Sequence, residues 1–143
     1  EAMAVMPELV TFIPMLMGTG GNCGSQSSAV IIRGLAVGEI EFPDILKVVF
    51  KEIRIAVVVG IVLSVVNGLR IVIMYQDPML ALALGITMIS IVCMAKLIGC
   101  TLPLIAKKIG VDPAIMAGPL ITTILDTCTI LVYFRVVTMI YHL

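Results

Sequence analysis

Charge is scarce in this chain, and what it lacks narrows the reading quickly. Only 13% of its 143 residues are Asp, Glu, Lys or Arg, about half the share of an ordinary soluble domain. Nine basic and nine acidic residues cancel to a net charge of zero, so no basic surface points to a nucleic-acid partner. There is one histidine, His142, and no C-x-x-C among Cys23, Cys93, Cys100 and Cys128. A zinc site and a disulfide framework are therefore not expected, and the thiols read as small buried side chains. No nucleophile–base pair is present, so the chain is not read as an enzyme. No basic segment precedes the first apolar run, as a cleavable signal would need.

What is abundant is apolar surface: 61% hydrophobic residues and a mean hydropathy of +1.22. The chain reads as one all-α, polytopic membrane domain over residues 1–143. A spanning helix needs about 20 mostly apolar residues, and four stretches qualify: Leu9–Ile32, Ile53–Tyr75, Pro78–Ala106 and Pro113–Ile140. Between the first two, a short cytoplasmic amphipathic segment is expected. Leu46, Val49, Phe50 and Ile53 recur at helical spacing, opposite Lys47, Lys51 and Arg54, which suits a helix at a membrane surface. Arg33, Lys47, Lys51 and Arg54 flank the first connection, and Lys107 and Lys108 the third. Basic residues stay on the cytoplasmic side. These two connections are thus expected inside, in a cell or inner membrane, with both chain ends outside. An outward N-terminus predicts that an earlier span precedes this sequence.

Several residues do not belong in hydrocarbon. "GTGGNCGSQSS", residues 18–28, lies inside the first span. It is not a phosphate loop, because no Lys follows its glycines and Cys23 stands where a dinucleotide motif needs glycine. On a helix, Gly18, Asn22 and Gln26 fall at i, i+4, i+8 as one polar face, while Gly20 and Gly24 form a G-x-x-x-G suited to close helix approach. In the last span, Gly118, Thr122 and Asp126 repeat that geometry, with Thr123 beside them. Lys96 is a cation within the third span. Counted at about 1.5 Å per residue from the nearest inner charge, Asn22, Lys96 and Asp126 all come out deep in the bilayer. Buried charges are functional-site candidates by default. A carboxylate with hydroxyl and amide oxygens, and no thiolate or imidazole, suits a hard cation such as Mg²⁺ or Ca²⁺. Alternatively, Asp126 pairs with Lys96 or is protonated, or the glycines serve helix packing alone.

Two blocks of sequence resemble the MgtE family of magnesium transporters and channels. "FIPMLMGTGGNCGSQSSAVIIRGLAVGEI" is similar to its second transmembrane helix, and "LIGCTLPLIAKKIGVDPAIMAGPLITTILDTCTILVYF" to its fourth and fifth. The resemblance implies a homodimer whose pore lies at the dimer interface between the second and fifth helices. It makes the four spans helices two to five, with the first helix absent from this chain. It carries the family's pore carboxylate over to Asp126 and its pore-lining Gly and Asn to Gly18 and Asn22. Two positions depart from the family pattern. Lys96 stands where the family has a neutral polar residue, and Gly118 where some members place an Asn.

The combined expectation is a homodimeric transporter or channel in a lipid bilayer, conducting largely hydrated Mg²⁺ down its electrochemical gradient. Asp126 would hold the metal, and Gly18, Asn22, Gln26, Gly118, Thr122 and Thr123 would line the pore. Lys96 is a candidate charge partner of Asp126, and a proton- or sodium-coupled exchanger built on that pair is the main alternative. A non-transporting assembly module is the other.

Overall fold

A computed structural model describes residues 8–141; His142 lies outside the described residues. Among the described residues every regular element is helical. Helix α1 (Glu8–Thr11) leads into α2 (Ile13–Ala36); a 3₁₀ turn (Phe42–Asp44) opens α3 (Ile45–Tyr75). Helix α4 (Pro78–Lys108) follows, then a second 3₁₀ turn (Pro113–Met116) and α5 (Pro119–Tyr141).

The glycine-rich stretch is helical throughout. In water, each interior glycine costs a helix about 1 kcal/mol relative to alanine. In a bilayer there is no water to satisfy an opened backbone, so the helix is kept. Pro14 sits in the first turn of α2, where its missing N–H costs nothing. At the other end Gly38 takes φ +75, and the N–H groups of Glu39 and Ile40 return to the Gly34 carbonyl. Between α3 and α4 the chain reverses in two residues. Gln76 adopts a left-handed conformation, and the Asp77 carboxylate accepts from the N–H groups of Met79 and Leu80 at 2.8 and 3.1 Å. Asp112 likewise caps the second 3₁₀ turn, accepting from Ala114 N–H at 2.9 Å.

Two expectations about boundaries are corrected. The amphipathic segment is not separate from the second span: residues 45–54 are the first turns of the single 31-residue helix α3. No breaker stands between Asp44 and Gln76, so nothing ends the helix. Its exposed and buried faces are also the reverse of a surface helix. Leu46, Phe50 and Ile53 are exposed, while Val48, Glu52, Ala56 and Gly60 are buried. Lipid accepts the apolar face, and close packing selects the small and polar one. The last span is not one helix from Pro113. It is the 3₁₀ turn, then a break at Gly118 with φ +65, then α5 from Pro119. Pro119 opens a helix instead of kinking one.

Three segments, Phe42–Tyr75, Pro78–Lys108 and Pro113–Tyr141, are long and apolar enough to cross a membrane. Helix α2 is not among them, because its polar stripe lowers its hydropathy. Helix α4 lies at the centre, packed against α2, α3 and α5. The α3–α4 hairpin keeps one antiparallel register along its length: Lys108 over the Phe42 ring at 4.1 Å, Glu52 with Lys96, Gly60 against Ile89 and Ser64 against Gly85. At about 46 Å each, these helices exceed a 30 Å hydrocarbon layer and must project beyond it. At the far end, Leu9, Phe12, Leu16, Leu84, Met88, Tyr133 and Val137 form one apolar core. There the Tyr133 hydroxyl donates to the Leu9 carbonyl at 2.8 Å.

Candidate ion-conduction face and its buried charge pair

Helix α2 has two unlike sides. One is closed. An added Cβ on Gly20 would stand 2.9 Å from Thr129 Oγ1, and one on Gly24 would strike the Leu125 side chain and approach the Ala95 carbonyl at 3.2 Å. On α4, a Cβ on Gly99 would run into the backbone of Gly24 itself. Backbone meets backbone here, so the G-x-x-x-G and Gly99 are packing glycines. Ser28 fastens the same side to the second 3₁₀ turn, its Oγ donating to the Met116 carbonyl at 3.2 Å.

The other side is open. Gly18, Asn22 and Gln26 are exposed, as are Ala29 and Arg33 further along the same stripe. An added Cβ on Gly18 would meet nothing within 4 Å. Among the described residues Asn22 and Gln26 have no hydrogen-bond partner, so they do not act as glue between these helices. The polar face expected from the i, i+4, i+8 spacing exists, and it is unpartnered.

Helix α5 borders this face. Thr122 packs on Gly21, whose added Cβ would lie 3.4 Å from Thr122 Cγ2. Asp126 follows one turn later, half-buried at the rim of the packed side. Among the described residues it has no ion pair or hydrogen-bond partner. The hydroxyls of Thr122 and Thr123 donate to the Pro119 carbonyl at 3.0 and 2.8 Å. Each oxygen therefore keeps lone pairs for accepting, which is what a wall needs to meet the outward-pointing O–H donors of a metal ion's hydration shell. Thr123 and Gly118 are exposed. Thr129, one turn beyond Asp126, is buried with its hydroxyl unpartnered. Among the described residues no three of His, Cys, Asp and Glu cluster closely enough to hold a metal.

Lys96 does not pair with Asp126. Gly24 touches both Ala95 and Leu125, so the two charged residues that follow these stand at one height along α2. Lys96 nevertheless turns the other way. Its Nζ lies 3.3 Å from Glu52 Oε2 on α3 and donates to Ser27 Oγ on α2 at 3.2 Å. Ser27 Oγ in turn donates to the same carboxylate oxygen at 2.5 Å. All three are buried, Glu52 and Lys96 each 5% exposed. The charge is neutralised inside the packed core, as a buried ion must be. The physical reason is geometric: α4 presents Lys96 toward α3, and α5 lies on its other side.

Sequence reasoning missed Glu52 and Ser27. Glu52 was hidden in a run with Lys51 and Arg54 that resembles a solvated surface. The signal that would have found it is the stripe Val48, Glu52, Ala56, Gly60, Ser64 at every fourth residue, small or polar at nearly every step. A charged residue on a small-residue stripe of a long helix is on the packing side.

Residues 13–136 match the family model MgtE, described as a divalent cation transporter. The chain is similar to proteins named magnesium transporter MgtE: 36% identical over 130 residues to one from Thermus thermophilus, covering 90% of this chain and 28% of the relative. It is 34% identical over 142 residues to one from Bacillus subtilis, covering 99% and 32%. It is 35% identical over 135 residues to one from Enterococcus faecalis, covering 92% and 29%. The chain thus spans about a third or less of the length of these relatives. A helical domain with three apolar spans, a glycine-packed polar helix and a family match from Ile13 to Val136 leaves one conclusion: this chain belongs to the MgtE family of divalent cation transporters.

Proposed function

We propose that this chain is the membrane domain of a Mg²⁺ transporter, passing a largely hydrated ion down its electrochemical gradient. One observation carries the reading. The polar stripe Gly18, Asn22 and Gln26 is open along α2, and a partnerless carboxylate, Asp126, stands at its border. A polar face in lipid is costly unless it meets water or another polar face. A second copy related by a twofold axis would supply that face and bring two Asp126 carboxylates toward one another. In this reading α2 is the fourth span, and the basic ends of α2–α3 and α4–α5 face the cytoplasm.

Two carboxylates without a full ligand set favour a divalent ion that keeps its water. Mg²⁺ dehydrates reluctantly and is often held this way. Asn22 and Gln26 amides and the Thr122 and Thr123 oxygens would accept hydrogen bonds from that water. An inside-negative potential contributes about 2.3 kcal/mol per charge per 100 mV, twice that for a divalent ion. Neither a nucleotide site nor a coupled charge is then required. The exchanger built on a Lys96–Asp126 pair loses its motivating contact, since Lys96 is committed to Glu52. Mg²⁺ uptake by proteoliposomes under an imposed potential tests the reading. Wild type is expected to take up Mg²⁺ and Asp126→Asn to lose most of it; equal uptake by both would remove Asp126 from the path.

A further inference from the structure

Lys96 sits in an odd place for a cation conductor. Its ammonium hydrogen-bonds Ser27, a residue of α2, on the side turned away from Asn22. Beside it is a cavity of about 290 Å³ lined by Gln26, Ser27, Lys51, Glu52 and Lys96 among others. Gln26 belongs to the open polar stripe, so the cavity joins the buried pair to the proposed path through a single side chain. A fixed positive charge so close, in a poorly polarisable medium, acts over several ångströms. Alone it would lower the local concentration of a divalent cation. Glu52 cancels it.

We infer that Glu52 is a positioning residue for conduction: it holds and neutralises Lys96 beside Ser27, and so keeps this buried ammonium from adding positive charge behind Asn22 and Gln26 as the ion passes. The inference rests on the transport reading above. It assigns Lys96 no coupling role; the amine is tied back and compensated. The Ser27 hydroxyl, donating to Glu52 and accepting from Lys96, ties this neutral unit to α2 itself. The cavity beside the pair, lined by Gln26, Ser27, Lys51 and Glu52 as well as by apolar side chains, has the volume and the polar partners to hold water, so a charge left alone there stays hydrated and is felt along α2.

The sign of the charge gives the test. Mg²⁺ uptake by proteoliposomes is measured over a concentration series, with KM and Vmax separated, for wild type, Glu52→Gln, Lys96→Gln and the double variant. Glu52→Gln leaves a net positive charge and is expected to raise KM about tenfold; Lys96→Gln leaves a negative one and should lower KM about threefold. The double variant carries no charge and should return to within about twofold of wild type. A purely structural pair would lower Vmax in both single variants and move KM the same way in each, and that result overturns the inference. If Glu52→Gln fails to fold, Lys96→Gln decides: an unchanged or raised KM overturns it. Wild type without uptake sinks the transport reading and this inference together. Wild-type uptake with no opposite shifts in KM sinks this inference alone.

Discussion

The two sides of α2 carry the same kinds of residue and do opposite things. Gly20, Gly24, Ser27 and Ser28 face the other helices, and Gly18, Asn22 and Gln26 face away from them. On the closed side, missing side chains bring α4 to backbone contact and seat the Thr129 and Leu125 side chains of α5, and the hydroxyls of Ser27 and Ser28 find partners inside the subunit. On the open side, a glycine has empty space and two amides have no partner among the described residues. Small and polar residues in a membrane helix thus serve adhesion on one side and, in the reading proposed above, passage on the other, and residue type does not distinguish the two sides. What distinguishes them is whether a neighbour occupies the space.

The largest expected effect breaks the closed side. Gly99→Leu drives a side chain into the backbone of Gly24, which cannot yield, so overpacking should exceed the usual range of about 1–3 kcal/mol. No monodisperse folded protein is expected on size exclusion in detergent. Next comes the charge pair behind that side. Glu52→Gln leaves a buried ammonium without its counter-charge, a loss of about 3 kcal/mol, softened by the adjoining cavity. It should appear as a lowered melting temperature in detergent, and the double variant with Lys96→Gln should recover most of it.

On the open side the order of effects inverts. Asp126→Asn should leave the melting temperature unchanged, because no contact within the subunit is lost. It should cut Mg²⁺ uptake at least about tenfold, equivalent to about 1.4 kcal/mol. Gly18→Ala is expected to change stability by less than about 0.5 kcal/mol, since the added methyl meets nothing. Thermal melting beside Gly20→Ala, where the methyl would crowd Thr129 and Ile91, sharpens the contrast. Equal losses at both glycines would show that the open face is packed in the solubilised protein.

Much of this was legible in the sequence. Hydropathy placed the long helices. Period-four spacing identified the polar stripe of α2 and the Thr122–Asp126 edge of α5, because a helix turns 100° per residue whatever surrounds it. The Gly20–Gly24 motif identified a packing surface. The join between the amphipathic segment and the second span was missed because charges on one face were taken for a surface boundary. In a long helix that projects beyond the hydrocarbon, charged residues occupy the same continuous rod as apolar ones. The break at Gly118 does not show in the apolar run Pro113–Ile140, since a Gly–Pro pair is compatible with a continuous or a broken helix until the flanking turn is placed.

The chain by itself determined that it would be helical and membrane-bound, because apolar runs of this length with so few charges can satisfy their backbone in lipid only within themselves. It also determined which residues share a helix face, since that depends on local geometry alone. Which face packs and which stays open, and that Lys96 reaches for Glu52 and not for Asp126, were decided by the order of helices around α4. Partner choice between charges far apart in sequence depends on how three helices are arranged in space, and no local spacing encodes that.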